Sequence, residues 1–220
     1  SIIIAPHPRA KITNKIICNL MREALVKLGA PADLVIPIET PSVEKTNELM
    51  RQCDRVPATG GGPMVHAAYS SGTPALGVGV GNAVITVDDT ANLDEAAEKI
   101  RISKTLDLAA SCSSDNSVIL FDVIYDEMLA KLQAQGGHII EGEDKQKLQN
   151  VIWVDGHLNA NIVAQPAEKI AGMAGFGLPE GKTFLIVPET GAGEDYPFSG
   201  EKLSVTMTLY RAKDIDEAIA

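Results

Sequence analysis

Positive charge is in short supply: 19 Lys and Arg stand against 29 Asp and Glu in 220 residues, a formal net charge of −10. Phosphate backbones are bound by clustered cations, so this balance argues against a nucleic-acid partner. Long apolar runs are also missing. None approaches the roughly 20 residues that span a bilayer, and no basic-then-apolar leader opens the chain. The expectation is a soluble, cytoplasmic protein with no membrane partner. Cysteine is scarce: Cys18, Cys53 and Cys112 are widely spaced and odd in number, a poor basis for a disulfide framework. Histidine is scarce too. His7, His66, His138 and His157 lack metal-pair spacing and no C-x-x-C accompanies them, so no metal site is expected.

The residues that are present support a folded core, since 45% of them are hydrophobic. Strand and helix signals alternate. Ile2–Ala5 reads as a strand, Asn14–Leu28 as an amphipathic helix with Thr13 as cap and Gly29 past its end. Asp33–Ile38 is a strand, Val43–Arg51 a helix capped by Ser42, Arg55–Ala58 a strand and Met64–Tyr69 a helix. Strands Pro74–Val78 and Ala83–Val87 come next. Beyond them come helix Asn92–Thr105, strand Ser117–Phe121, helices Val123–Gln135 and Gly142–Asn150, and a strand-like Val151–Val154. Helix Ala164–Ala174 and strands Thr183–Val187 and Leu203–Arg211 complete the reading. This order predicts an α/β fold with parallel sheets flanked by helices. A domain boundary is expected near Asp88, dividing residues 1–88 from 89–220. Cys18 and Trp153 are expected in the core.

Three segments invite chemistry. Cys112 lies among small and hydroxylated residues between a helix and a strand, where loop ends present reactive groups. On these grounds alone it is a candidate nucleophile or a small buried thiol. Thr59-Gly60-Gly61-Gly62-Pro63 joins a strand to a helix, a turn that lets a phosphate approach the helix N-terminus or serves only as a tight connection. Gly77-Val-Gly-Val-Gly81-Asn82 is a second Gly-rich stretch, and a long loop from Pro188 to Lys202 carries Glu201 at a strand start, available to accept ribose hydroxyls or only a solvated acid. Arg101 and Lys104 are cations available to an anionic substrate or to solvent.

Taken together, these segments resemble an aldehyde dehydrogenase of the coenzyme A-acylating type. The resemblance runs from Ile2-Ile-Ile-Ala-Pro-His-Pro-Arg9 to Phe198-Ser-Gly-Glu-Lys-Leu-Ser204. Its most specific parts are Ala58-Thr-Gly-Gly-Gly-Pro-Met-Val65, Ala67-Ala-Tyr-Ser-Ser-Gly72, Pro74-Ala-Leu-Gly-Val-Gly-Val-Gly-Asn82 and Ser103-Lys-Thr105 leading to Ser111-Cys112-Ser113. It implies a Rossmann-like, NAD-binding part in residues 1–88 and an incomplete catalytic domain in 89–220. It implies Cys112 as the nucleophile, with Pro6, His7, Thr59, Gly60, Gly61, Gly79 and Glu201 at the NAD or NADP cofactor and coenzyme A as co-substrate.

One departure sharpens this expectation. Relatives that release free acids carry a Glu-Leu-Gly-Gly-Lys segment whose glutamate activates water; here the similar position reads Val78-Gly-Val-Gly81-Asn82. Without that carboxylate, acyl transfer to a thiol is favoured over hydrolysis. The local sequence around Cys112 is similar to members acting on sulfoacetaldehyde or succinate semialdehyde more than on acetaldehyde. A hydrolytic aldehyde dehydrogenase and an inactive nucleotide-binding module are the alternatives, and a cysteine hydrolase is disfavoured because no Cys–His–Asn order is evident. The resemblance also implies a homo-oligomer. A chain that starts in a strand and stops in a helix is expected to be part of a longer protein.

Overall fold

The computed structural model of the chain describes residues 1–219. Its backbone forms two compact units, Ser1–Gly79 and a second that begins at Val80.

The first unit is built from short βα steps. Strand β1 (Ile2–Ile4), helix α1 (Lys11–Lys27) and strand β2 (Val35–Pro37) form one step, with β1 and β2 paired in parallel. After α2 (Val43–Gln52), strand β3 (Val56–Thr59), α3 (Gly62–Tyr69) and β4 (Ala75–Val78) form another, again parallel. Ser42 caps α2 as expected, its Oγ accepting from the Lys45 N–H at 3.2 Å. Helix α1 starts at Lys11, ahead of the predicted Thr13 cap, and no side chain caps it. Cys18 is fully buried, whereas Ile12, Ile16, Leu20 and Met21 on the same helix are exposed.

The second unit carries the main core. Strand β5 (Ala83–Val87), helix α4 (Leu93–Thr105), strand β6 (Asp115–Phe121), helix α5 (Tyr125–Ala134) and strand β7 (Gly137–Ile139) come first. Helix α6 (Gly142–Ile152), strands β8 (Trp153–Val154) and β9 (His157–Leu158), helix α7 (Ala167–Ala174), strands β10 (Phe184–Pro188) and β11 (Thr206–Ala212), and helix α8 (Ile215–Ile219) complete it. Five of these strands make one parallel sheet in the order β5-β6-β11-β10-β7. Strands buried on both faces need continuous apolar character, which Phe184-Leu-Ile-Val187 supplies. β11 differs: Met207 and Leu209 are apolar, while Thr206 and Thr208 put buried hydroxyls on its other face.

The structure corrects three expectations. Val151–Val154 is not a strand throughout: α6 continues to Ile152 because Leu148 and Ile152, one helical turn apart, are both fully buried. A two-stranded hairpin then turns over Asp155 and Gly156, both with positive φ (51° and 74°), as a type I′ turn requires. The helix expected from Ala164 starts at Ala167, since Pro166 disfavours helical geometry in the residue before it. Strand β7 was hidden by its shortness. It depends on Gly137, where a Cβ would stand 2.6 Å from Ile186 Cδ1 and 2.9 Å from Leu132 O. Trp153 packs against the core, edge-on to Phe198 at 5.2 Å between ring centroids. Among the described residues no helix is long and apolar enough to cross a membrane.

Candidate active site

Cys112 is exposed, while Cys18 is buried and Cys53 partly so. It is presented by an unusual entry. Between α4 and β6 the backbone passes through Asp107, Leu108 and Ala109, all left-handed (φ 49°, 53° and 55°). For L-residues this conformation costs about 1–2 kcal/mol each. Contacts hold it in place: Leu108 packs against the core and Ala109 is 1% exposed. The loop then turns through Ser111, whose carbonyl accepts from the Ser114 N–H at 3.0 Å and whose Oγ stands 2.9 Å from that of Ser113.

The far end of the loop is pinned to α4. The Asp115 N–H donates to Ser103 Oγ at 3.0 Å, and Lys104 Nζ donates to the Asp115 carbonyl at 2.9 Å. Lys104 is 1% exposed, so it is a buried strut and not the solvent-facing cation that its place on a helix suggested. Burial pushes its ammonium down to about 7, against an opposing pull from the Asp115 carboxylate. Arg101 donates to Gln135 Oε1 at 3.0 Å.

Opposite the Cys112 loop stand Gly81 and Glu201. A Cβ on Gly81 would sit 3.3 Å from the Cys112 carbonyl oxygen, 3.3 Å from Glu201 Oε1 and 3.8 Å from Cys112 Cβ. The tertiary fold thus gathers Cys112 and Glu201, remote in sequence, around a position where a Cβ fits only if its neighbours give by a few tenths of an ångström. Burial raises the Glu201 carboxyl above the ordinary range, partly offset by the Gly81 main-chain amide and the Lys202 charge.

Behind them lies a polar network. Asn116 donates to Asn82 Oδ1 at 2.6 Å and to the Gly200 carbonyl at 3.0 Å, and its Oδ1 accepts from the Lys202 N–H at 3.2 Å. Asn82 Nδ2 donates to the Ser199 carbonyl at 2.7 Å. The Lys202 ammonium, fully buried, donates to the carbonyls of Phe198 at 2.6 Å and Gly200 at 2.9 Å. Burial, then the neighbouring Lys104 charge, pushes Lys202 well below the usual lysine range.

The remaining predicted residues belong to the first unit, each at or just past the C-terminal end of a parallel strand. Pro6 and His7 come after β1, with His7 Nδ1 accepting from the Arg9 N–H at 3.2 Å. Thr59 ends β3, and Gly60 and Gly61 lead into α3, with Gly61 at the N-cap. Gly79 comes directly after β4. Ends of parallel strands that lead into helix N-termini are where α/β folds bind nucleotides. A shallow groove lined by Asn19, Arg22 and Val26 runs along α1 and shares no residue with these positions. Among the described residues no group of three or more His, Cys, Asp or Glu side chains is arranged to hold a metal.

Reading the sequence for chemistry missed Asn82, Asn116 and the burial of Lys104 and Lys202. Asn116 and Lys202 are 86 residues apart, and no local pattern marks a lysine as buried. Gly81 was singled out only as part of a Gly-rich run.

No family model matches the chain. Over 221 residues, all of this chain, it is 44% identical to the bifunctional aldehyde-alcohol dehydrogenase AdhE of Escherichia coli K12, covering 25% of that protein. It is 44% identical to the acylating sulfoacetaldehyde dehydrogenase of Cupriavidus necator, covering 45% of it. Its fold matches that of an acetylating aldehyde dehydrogenase from Geobacillus thermoglucosidasius, with a TM-score of 0.95, 40% identity, and 99% of this chain against 49% of that one. A Rhodopseudomonas palustris propionaldehyde dehydrogenase, solved with bound CoA and an acylated cysteine, matches with a TM-score of 0.88 at 28% identity, over 100% of this chain and 50% of that one. The chain is therefore homologous, from end to end, to a segment of acylating aldehyde dehydrogenases, and it spans half or less of their length.

Proposed function

We propose that this chain is the nucleophile-bearing portion of a CoA-acylating aldehyde dehydrogenase, with residues 89–220 in its catalytic domain and residues 1–88 in its nucleotide-binding domain. The observation that carries the reading is the exposed Cys112 thiol, held across from Gly81 on a loop pinned to a buried helix end. Similarity to an enzyme solved with CoA and an acylated cysteine supports it.

On this reading the Cys112 thiolate adds to the carbonyl carbon of a small aldehyde. The tetrahedral adduct carries its negative charge on oxygen, which the main-chain N–H of the nucleophile is placed to receive. A bound NAD or NADP supplies the hydride acceptor. Loss of hydride from the adduct carbon leaves an acyl thioester on Cys112, and attack by the thiol of coenzyme A releases acyl-CoA and restores the cysteine. Pro6, His7, Thr59, Gly60, Gly61 and Gly79 are assigned to the nucleotide. The donor set at the α3 N-terminus is small: the Gly61 and Gly62 N–H groups are left for a phosphate, while Pro63 has none and Gly60 and Met64 donate to main-chain carbonyls. Glu201 is assigned to ribose hydroxyls, which a partly exposed carboxylate accepts.

The segment Val78–Asn82 provides no carboxylate to activate water, which supports transfer to a thiol over hydrolysis. Sulfoacetaldehyde heads the substrate candidates. Its sulfonate is not assigned to Lys104, whose ammonium is spent on a main-chain carbonyl.

The test is NADH or NADPH formation by the full-length protein over a panel of small aldehydes, with and without coenzyme A. Turnover that requires coenzyme A and disappears in Cys112→Ala is expected. Equal turnover without coenzyme A would mean that water completes the reaction.

A further inference from the structure

Three segments distant in sequence meet behind the nucleophile: 81–82, 112–116 and 198–202. Each contributes one group to the site: the closely approached Gly81, the thiol of Cys112 and the carboxylate of Glu201. Little of the material joining them is hydrophobic. Asn116 is 4% exposed and uses its whole side-chain amide, donating to Asn82 and Gly200 and accepting from the Lys202 main chain. Lys202 is fully buried and uses its ammonium on two carbonyls of the segment that leads to Glu201. Asn82 completes the ring by donating to Ser199.

Burying a lysine away from any carboxylate bond costs several kcal/mol, so packing alone favours an apolar residue here. A neutral side chain would have filled the same space. The ammonium instead donates to two main-chain carbonyls at and beside the Pro197–Ser199 turn, joining the Thr208 hydroxyl on that of Phe198 and the Asn116 amide on that of Gly200. The turn it holds is the one that sets the direction of Glu201.

We propose that Asn116, Lys202 and Asn82 are positioning residues forming one clamp, which fixes the Glu201 carboxylate relative to the Cys112 loop. The proposal rests on the functional reading above in giving Cys112 and Glu201 their roles, but the clamp itself is a statement about how two segments are held. The sulfur and the cofactor-side carboxylate must keep a constant separation through the reaction, and misplacement by about 1 Å costs on the order of a hundredfold in rate. Cys112 has its own anchor in Lys104 and Ser103, so loss of the clamp moves Glu201 and the 81–82 segment first.

The test uses the full-length protein with three variants: Lys202→Met, a near-isosteric apolar replacement; Asn82→Ala, at a position exposed enough to leave folding intact; and the double variant. Hydrogen exchange is measured in peptides covering 112–116 and 197–203, alongside KM for the nicotinamide nucleotide, kcat and the rate of Cys112 alkylation by iodoacetamide. A common clamp predicts that each single variant raises exchange about tenfold or more in both peptides. It also predicts a nucleotide KM raised about tenfold with a smaller change in alkylation rate. The double variant is expected to be no worse than the poorer single one, because both cut the same ring. Exchange that rises only beside the substituted residue overturns the proposal. So do additive effects, and so does a loss of nucleotide affinity that merely tracks a falling melting temperature. If the unsubstituted protein shows no coenzyme A-dependent turnover, the enzymatic reading falls, while exchange in the two peptides still decides the clamp.

Discussion

The side-chain amide of Asn116 donates to that of Asn82 across 2.6 Å, joining residues 34 apart in sequence. One lies at the start of strand β6, which leads away from the Cys112 loop, the other just before strand β5. Through this bond the Gly81 main chain is held against the Cys112 carbonyl, leaving 3.3 Å for any side chain placed at position 81.

Gly81→Ala is therefore expected to be costly. Its Cβ would press on a main-chain oxygen, which gives less readily than the tip of a flexible side chain, and on the Glu201 carboxylate. Overpacking of this kind costs about 1–3 kcal/mol. Steady-state kinetics should show kcat/KM reduced by about tenfold or more, and a denaturant midpoint should show the stability loss. Unchanged kinetics would mean that the Cys112 loop gives way freely.

Cys112→Ala removes a side chain exposed to solvent, so stability should stay within about 0.5 kcal/mol of the parent protein. Iodoacetamide labelling at this position and aldehyde oxidation should both vanish. Retention of coenzyme A-dependent activity would remove Cys112 from the mechanism.

Ala109→Gly should stabilise the fold. Ala109 is held at φ 55°, where glycine has no Cβ penalty. Relief of that strain is offset by the added entropy of the unfolded chain and by loss of the buried methyl, leaving a net gain of no more than about 0.5 kcal/mol by equilibrium denaturation. A loss of stability would show that the Ala109 methyl packs for more than its backbone costs.

Stability should climb with pH from about 7 towards 10. Lys104 binds its proton more weakly folded than unfolded, with a folded value of about 7, and Lys202 is shifted the same way. The unfolded chain then holds more protons across this window, so raising pH relieves the penalty of burying these ammonium groups. Tyr210, raised by burial to about 12, works oppositely above 10, where unfolded tyrosine ionises first. Denaturant midpoints across pH 6–11 should pass through a maximum near pH 10, and Lys104→Met should flatten the rising limb.

The order of strands and helices was legible in the sequence because parallel α/β units repeat a local signature: short apolar runs, amphipathic helices and caps such as Ser42. Errors fell where local signals compete. At Val151–Val154 a β-favouring run continued a helix because its apolar residues shared the helix's buried face. The candidate Cys112, the Gly-rich turn at Thr59–Gly61 and the absence of a carboxylate in Val78–Asn82 were equally open to reading, since each depends on residue type and near neighbours, whereas the exposure of Cys112 was not.

Only the tertiary structure decided the company these residues keep. Lys104 and Lys202 look like any solvated lysines until the fold buries them against main-chain carbonyls. Glu201 meets Gly81 and the Cys112 loop only because β6 and β11 lie side by side in the sheet, the residue pair Thr208 and Ser117 in register. Pairings across 86 residues, such as Asn116 with Lys202, arise from strand order, which long-range burial sets and no local spacing records.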